Sequence, residues 1–146
     1  MAQFDRSRSL QQLDGQDWGE PTYASHLVRG CHWLRRVPLR DFTAEDLRIT
    51  IGQNVGLEYL VPLALERLDD DPFTPGAYYP CDLLVSVLRS DMKFWQRHAK
   101  LRERLVTIAE RAIGLFPTKP DIASELVTKA VIRAYSEFVK RQTPAI

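Results

Sequence analysis

The chain has 146 residues, of which 45% are hydrophobic and 27% charged, and its formal net charge is +1. These values are typical of one globular domain with a substantial buried core; they exclude a disordered composition and by themselves indicate no charged partner. No run approaches the roughly 20 apolar residues of a membrane span, and MAQFDRSRSL lacks the apolar core of a signal peptide, so we expect a cytoplasmic protein without a membrane partner.

The first third of the sequence predicts two helices joined by a loop. Residues 6–14 predict a short, weakly held helix, and residues 15–21 a turn-rich loop in which Trp18 is buried or docked. Apolar side chains then recur at spacings of four, four and three, which predicts an amphipathic helix over about 22–36 that ends before Pro38. These side chains are Tyr23, Leu27, Cys31 and Leu34.

The middle of the sequence predicts a capped helix followed by the most hydrophobic one. Thr43 and Asp46 have the spacing of a capping-box variant, which opens a helix that ends near residues 52–56. Apolar side chains cover nearly the whole circumference of residues 57–68, as expected for a central helix packed on several sides. Pro62 fits easily if that helix begins a residue or two before it, and kinks the helix if it begins at residue 57.

A loop and a short helix come next. Residues 69–71 are all aspartate and Pro72 follows, so the central helix ends there, because Asp competes for backbone hydrogen bonds and the residue before proline leaves the helical region. Residues 73–80 (FTPGAYYP) predict a loop that carries Tyr78 and Tyr79. Asp82 then precedes the apolar face of a short helix ending near residue 90.

The last third predicts three more helical segments. Phe94 and Trp95 lie in a turn or two of helix, and an apolar seam with spacings of four, three, four and three follows: Leu101, Leu105, Ile108, Ala112 and Leu115. After a break at residues 116–117, Thr118 with Asp121 is the expected cap of the last helix, with Pro120 in its first turn. Its apolar residues are Ile122, Leu126, Val127, Ala130, Val131, Ala134, Tyr135 and Phe138.

No segment alternates in the manner of a strand, and no repeat is present. We therefore predict an all-α fold, a single compact domain over residues 1–146 with about six or seven helices. We expect Trp18, Trp33 and Trp95 to be core or loop anchors.

The residue types that carry catalysis or bind metals are not clustered. His26 and His32 lie about 120° apart around the predicted helix, and His98 is distant in sequence. Cys31 and Cys81 form no CxxC pair, and no zinc, nucleophile or phosphate-binding motif is present. We predict reduced thiols, no enzymatic activity, no cofactor and no metal. An enzyme built around Cys31 and the histidines is an alternative that requires a thiol of low pKa.

Charge is distributed unevenly along the chain. Residues 41–91 carry 10 acidic and 3 basic side chains, whereas residues 92–146 carry 5 acidic and 11 basic ones. The basic residues of the helix near position 100 mostly lie opposite its apolar seam, with glutamates between them, as on any solvated face. They include Lys93, Arg97, Lys100, Arg102, Arg104 and Arg111. A helical nucleic-acid-binding module using this basic third is the alternative function, although no recognition motif accompanies the charge.

The acidic residues at the end of the central helix form the sharper candidate site. Glu66, Asp69, Asp70 and Asp71, here called the acidic corner, lie where the helix dipole disfavours negative charge, so stability does not explain them well. A solvated, chain-stopping turn is the alternative interpretation. As a docking surface, the corner would attract a basic partner and the two tyrosines would supply contact area. The predicted partner-binding residues are Glu66, Asp69, Asp70, Asp71, Tyr78, Tyr79 and Asp82.

Three stretches resemble, in order and spacing, a family of immunity proteins of bacterial contact-dependent growth inhibition (CDI) systems. They are LDGQDWGEP (13–21), HLVRGCHWLRRVPLRDFTAEDLRITIGQNVGLEYLVPLALERL (26–68) and DPFTPGAYYPCDLL (71–84). The resemblance is most specific in WGEP, in the segment from LRIT to LERL, and in the segment from DP to CDLL. It is vague after Ile113.

The resemblance implies a small cytosolic protein that binds the C-terminal toxin domain delivered by a neighbouring cell. Such a protein blocks the toxin, often by covering a nuclease active site, and has no catalysis of its own. We therefore expect a monomer that forms a heterodimer with a toxin encoded just upstream.

Two positions depart from the family pattern, which is closer to GDxYPGDLL before the short helix. Ala77 stands where the pattern has an acid, and Cys81 stands where it has its second glycine. If this loop contacts the toxin, the changed positions mark a different cognate toxin. Alternatively, they are neutral.

Overall fold

The computed structural model describes residues 4–18 and 26–142, so the end of the predicted first loop and the predicted helix start at 22–25 lie outside the described residues. Eight α-helices occur in these two ranges, and no strand does. They are α1 (Leu10–Asp14), α2 (His26–Leu34), α3 (Ala44–Gly52), α4 (Leu57–Asp70), α5 (Asp82–Leu88), α6 (Met92–Arg97), α7 (Ala99–Leu115) and α8 (Glu125–Gln142), with 3-10 turns at Leu39–Asp41 and Phe116–Thr118. The all-α prediction is confirmed. None of these helices is long and apolar enough to cross a bilayer.

Capping boxes determine where the first and third helices begin. The Thr43 hydroxyl accepts a hydrogen bond from the Asp46 N–H (3.1 Å) and the Asp46 carboxylate accepts one from the Thr43 N–H (3.0 Å), which confirms the predicted cap. Ser9 and Gln12 make the same reciprocal pair in front of α1. The first helix therefore begins at Leu10, whereas the sequence predicted a start near residue 6.

The core is built around α4 together with α5. Helix α4 packs against α3, α5 and α7, in agreement with its predicted central position. Helix α5 has only seven residues, six of them buried, and packs against α3, α4 and α8. Helix α4 begins at Leu57, so Pro62 lies inside it and leaves the Glu58 carbonyl without its usual intrahelical donor. The two helices place the loop between them, residues 71–81, at the edge of the core.

The start of α8 differs from the prediction. Thr118 lies in a 3-10 turn, and the helix begins at Glu125 with the Ser124 hydroxyl accepting from the Val127 N–H at 3.2 Å. Ser124 is therefore the N-cap, and the predicted cap residues belong to the connection. The side chain of Leu126, predicted to be one of the apolar residues of this helix, is 81% exposed. The buried positions of this helix are Val127, Val131, Ala134 and Phe138.

Only one of the three tryptophans lies in the core. Trp95 is fully buried, and its indole N–H donates to the Ser90 hydroxyl at 2.8 Å. Trp18 is docked, with the Arg35 guanidinium 4.4 Å from its ring centroid. Trp33 is 65% exposed, so the expectation that it is an anchor is wrong.

Candidate functional site

Two carboxylates of the acidic corner are engaged in ion pairs within the fold. Glu66 accepts two hydrogen bonds from the guanidinium of Arg6, at 2.5 and 2.9 Å. These bonds hold the pKa of Glu66 below its usual value. Asp69 Oδ2 lies 2.5 Å from Arg104 Nη2, on α7. Half of the corner's negative charge is therefore balanced inside the molecule.

Basic side chains of α7 lie at the C-terminal end of α4. Besides the Arg104 pair, Arg111 Nη1 donates to the backbone carbonyl of Asp69 at 2.8 Å. Cations are favourable at a helix C-terminus, where the last carbonyl groups lack intrahelical donors. Stability thus explains Asp69, contrary to the expectation from sequence. The same contacts give Arg104 and Arg111, two of the basic residues considered for nucleic acid, a role in holding α7 on α4.

Asp70 and Asp71 are the exposed remainder of the corner. The carboxylate of Asp70 makes no hydrogen bond or ion pair with any part of the chain that the structure describes. Asp71 Oδ1 accepts from the Phe73 N–H at 2.9 Å, which forms a local turn and leaves its charge unbalanced. These two residues carry the corner's available negative charge.

Asp82 lies beneath the α4–α5 loop rather than on its surface. It is 3% exposed, and its carboxylate accepts from the backbone N–H groups of Gly76, Tyr78 (3.0 Å) and Tyr79 (3.4 Å). A buried carboxylate satisfied by backbone donors fixes the path of the chain around it. Asp82 therefore shapes the loop and exposes little surface of its own to a partner.

Helix α3 supplies a second attachment for the loop. Glu45 Oε1 accepts from the Ala77 N–H at 2.8 Å, and its carboxylate is held by Arg48 Nε and Nη2 at 2.6 and 2.7 Å. Arg48 lowers the pKa of Glu45, and its Nε lies 3.8 Å from Asp82 Oδ2. Four consecutive backbone N–H groups, at residues 76–79, are thus directed at two carboxylates.

Glu45 and Arg48 are not among the site residues predicted from the sequence. Their spacing of three indicates a pair on one helix face, but nothing local indicates that this face meets a loop more than 25 positions later. Gly76 in the loop is a weaker indication of the same contact, because glycine permits a close approach of the backbone to another element. A Cβ on Gly76 would lie 2.6 Å from Glu45 Oε1 and 3.0 Å from Arg48 Cδ, so any larger residue would displace the Glu45 carboxylate from its present position.

The two tyrosines of the loop have different environments. Tyr78 is 74% exposed, and the Arg48 guanidinium carbon lies 4.6 Å from its ring centroid. Tyr79 is half-buried and packs against the core. The Cys81 N–H donates to the Phe73 carbonyl at 3.2 Å, which closes the ends of the loop. The loop therefore presents Tyr78 to solvent on a fixed base.

Cys31 and Cys81 are both buried, and neither has the lowered pKa of an activated thiol. Burial raises the pKa of Cys31, and burial with Asp71 nearby raises the pKa of Cys81 to about 12, so both thiols stay protonated. The ring of His98 stacks on Phe94 with centroids 4.1 Å apart. Among the side chains that the structure describes, no group of three or more His, Cys, Asp or Glu residues could hold a metal ion. The protonated thiols do not support the alternative of a cysteine enzyme.

Comparison with known proteins identifies a matching family. Residues 12–105 match a family model described as CDI immunity proteins, which covers more than half of the chain and includes helices α2 to α6 and the α4–α5 loop. No curated protein and no solved structure matches the chain.

Proposed function

Because the chain belongs to the family of CDI immunity proteins, we propose that it binds the C-terminal domain of a CDI toxin in the cytosol and thereby protects the cell. The family match over residues 12–105 is the observation that carries this proposal. The chain acts by stoichiometric binding as a monomer in a heterodimer, without catalysis or a cofactor of its own.

We propose that the contact surface is the outer side of the α4–α5 loop together with the end of α4. Asp70, Asp71 and Tyr78 lie at its exposed positions and would contact the toxin. Asp82 and Tyr79 belong to the site as residues that hold the loop. A fixed loop loses little conformational entropy on binding, which favours affinity.

The remaining two residues of the predicted set have an indirect part in this proposal. Glu66 and Asp69 are paired with Arg6 and Arg104, so their contribution to the field outside the molecule is reduced. They keep the end of α4 in place, and the exposed charge of the surface comes from Asp70 and Asp71.

The chemistry of this surface suits a basic toxin. A nuclease must bind a polyanion, and its binding cleft is therefore positive. Exposed carboxylates complement such a cleft and raise the association rate, while an exposed tyrosine supplies contact area at low entropic cost. We propose that the toxin is a nuclease whose active site this surface covers.

Co-expression tests the proposed function. The chain is tagged at its C-terminus and produced with the C-terminal domain of the toxin encoded upstream. The proposal predicts a stoichiometric complex on purification and normal growth of cells that the toxin domain alone arrests. Growth arrest despite full expression of the chain, with no complex recovered, would contradict it.

A further inference from the structure

A pocket of about 250 Å³ lies next to the exposed tyrosine of the α4–α5 loop. Tyr78 and Tyr79 form one wall, and Arg89, at the C-terminal end of α5, lines it from another element. Arg48 and Gly52 of α3 also line it. Helices α3 and α5 and the loop therefore meet around a space large enough for one side chain.

The charge lining this pocket is positive where it is accessible. Arg89 is exposed, and its guanidinium has no hydrogen bond or ion pair with the chain as described. Arg48 uses Nε and Nη2 for Glu45, while its Nη1 has no such partner and the side chain remains 20% exposed. The acid lining the pocket is Asp82, which is buried and satisfied by backbone N–H groups.

We propose that this pocket receives a carboxylate side chain of the toxin domain, bound by Arg89 and covered by the ring of Tyr78. The proposal rests on the proposed function and adds the chemistry of one anchor. The planar guanidinium group offers two parallel donors that match a carboxylate, and a partly desolvated pocket strengthens such a pair.

This anchor would give the interface charges of both signs. Asp70 and Asp71 attract basic groups, whereas Arg89, at the end of α5, selects an acid. Opposite signs at two places on the interface favour one orientation of a partner and penalise a toxin with the pattern reversed. The pocket therefore determines specificity as well as affinity.

The test compares Arg89→Glu and Arg89→Lys in calorimetric titrations with the purified toxin domain. We expect Arg89→Glu to raise the Kd by about tenfold or more, because it places like charges together. Arg89→Lys keeps the charge and loses the bidentate geometry, so a rise of about threefold is expected. Lys119→Glu, which reverses an exposed charge after the second 3-10 turn, is the control and leaves the Kd unchanged.

The outcomes separate this inference from the proposed function. If the wild-type chain binds and Arg89→Glu, verified as folded by urea denaturation, has the wild-type Kd or a lower one, the pocket does not hold a carboxylate. If the wild-type chain itself does not bind the toxin domain, the proposed function fails and the inference fails with it.

Discussion

The carboxylate of Asp69, one residue before the end of α4, lies 2.5 Å from the guanidinium of Arg104 on α7. The two residues are 35 positions apart, and the pair joins the acidic segment of the chain to the basic one. The opposite charges of the two segments are thus partly used to assemble the fold. The exposed acid left for a partner is correspondingly smaller than the sequence total.

This pair should contribute modestly to stability. Asp69 and Arg104 are partly exposed, so a double-mutant cycle with alanine should give a coupling of about 0.5 kcal/mol. The Arg133–Glu137 pair, which lies within α8 and joins no elements, is the control and should couple by about 0.3 kcal/mol. Urea denaturation of the variants measures both couplings. A zero coupling for Asp69 and Arg104 would show that the pair does not help to hold α7 on α4.

Removing the charge of Asp82 should loosen the α4–α5 loop. Asp82→Asn replaces one carboxylate oxygen by an NH2 group, which cannot accept a hydrogen bond from the backbone N–H groups that face it. We therefore expect the free energy of unfolding to fall by about 2 kcal/mol. Asp91→Asn is the control, because Asp91 accepts from the Lys93 N–H at an exposed cap where asparagine serves equally well. Equal stability of the two variants would contradict the buried role of Asp82.

Two glycine substitutions should have effects of opposite sign. Gly76→Ala forces a methyl group against Glu45 and Arg48, and we expect it to destabilise the fold by about 1–3 kcal/mol. Gly114→Ala, in α7, meets nothing within 4 Å, and we expect a gain of about 0.5–1 kcal/mol. Thermal and urea unfolding report both changes. A neutral Gly76→Ala would mean that the loop does not pack closely on α3.

Cys81 has a left-handed backbone conformation, with φ of 72°, which favours glycine. Glycine is the residue that the resemblance places at this position. In an ordinary helix a glycine variant is less stable than an alanine variant. Here we expect the opposite order, with Cys81→Gly about 1 kcal/mol more stable than Cys81→Ala. Both variants lose the buried sulfur, but only alanine keeps the strain of the left-handed backbone. Urea denaturation of the two variants decides. The opposite order would show that the strain is absent.

Local signals explain which parts of the fold could be predicted. The Thr43–Asp46 cap and the apolar seam of α7 depend on residues three or four apart, and both were found. The sequence does not locate the start of α8, because Thr118 and Ser124 are both suitable N-cap residues and no local signal favours one over the other. Leu126 directly precedes Val127 and lies about 100° from it around the helix, so it falls outside the buried stripe.

The candidate site could be predicted only in part. The sequence indicates the acid and the tyrosines, because both follow directly from residue type and from the predicted loop. The partners of Glu66 and Asp69 lie 60 and 35 positions away, and no local rule connects them. The burial of Asp82 likewise depends on backbone groups of a loop whose path only the folded chain defines.

The most direct test of the proposed surface is a titration of the toxin domain at about 0.05 M and about 0.5 M salt, where screening differs strongly. The first double variant, Asp70→Lys with Asp71→Asn, replaces two exposed negative charges by one positive charge and keeps a hydrogen-bond acceptor at residue 71. The control double variant, Asp121→Lys with Glu125→Gln, makes the same charge change at other exposed positions. The account predicts that the first variant binds at least about tenfold more weakly at low salt and with a shallower salt dependence, while the second behaves as wild type. Wild-type affinity and salt dependence in a folded Asp70→Lys, Asp71→Asn variant would contradict it.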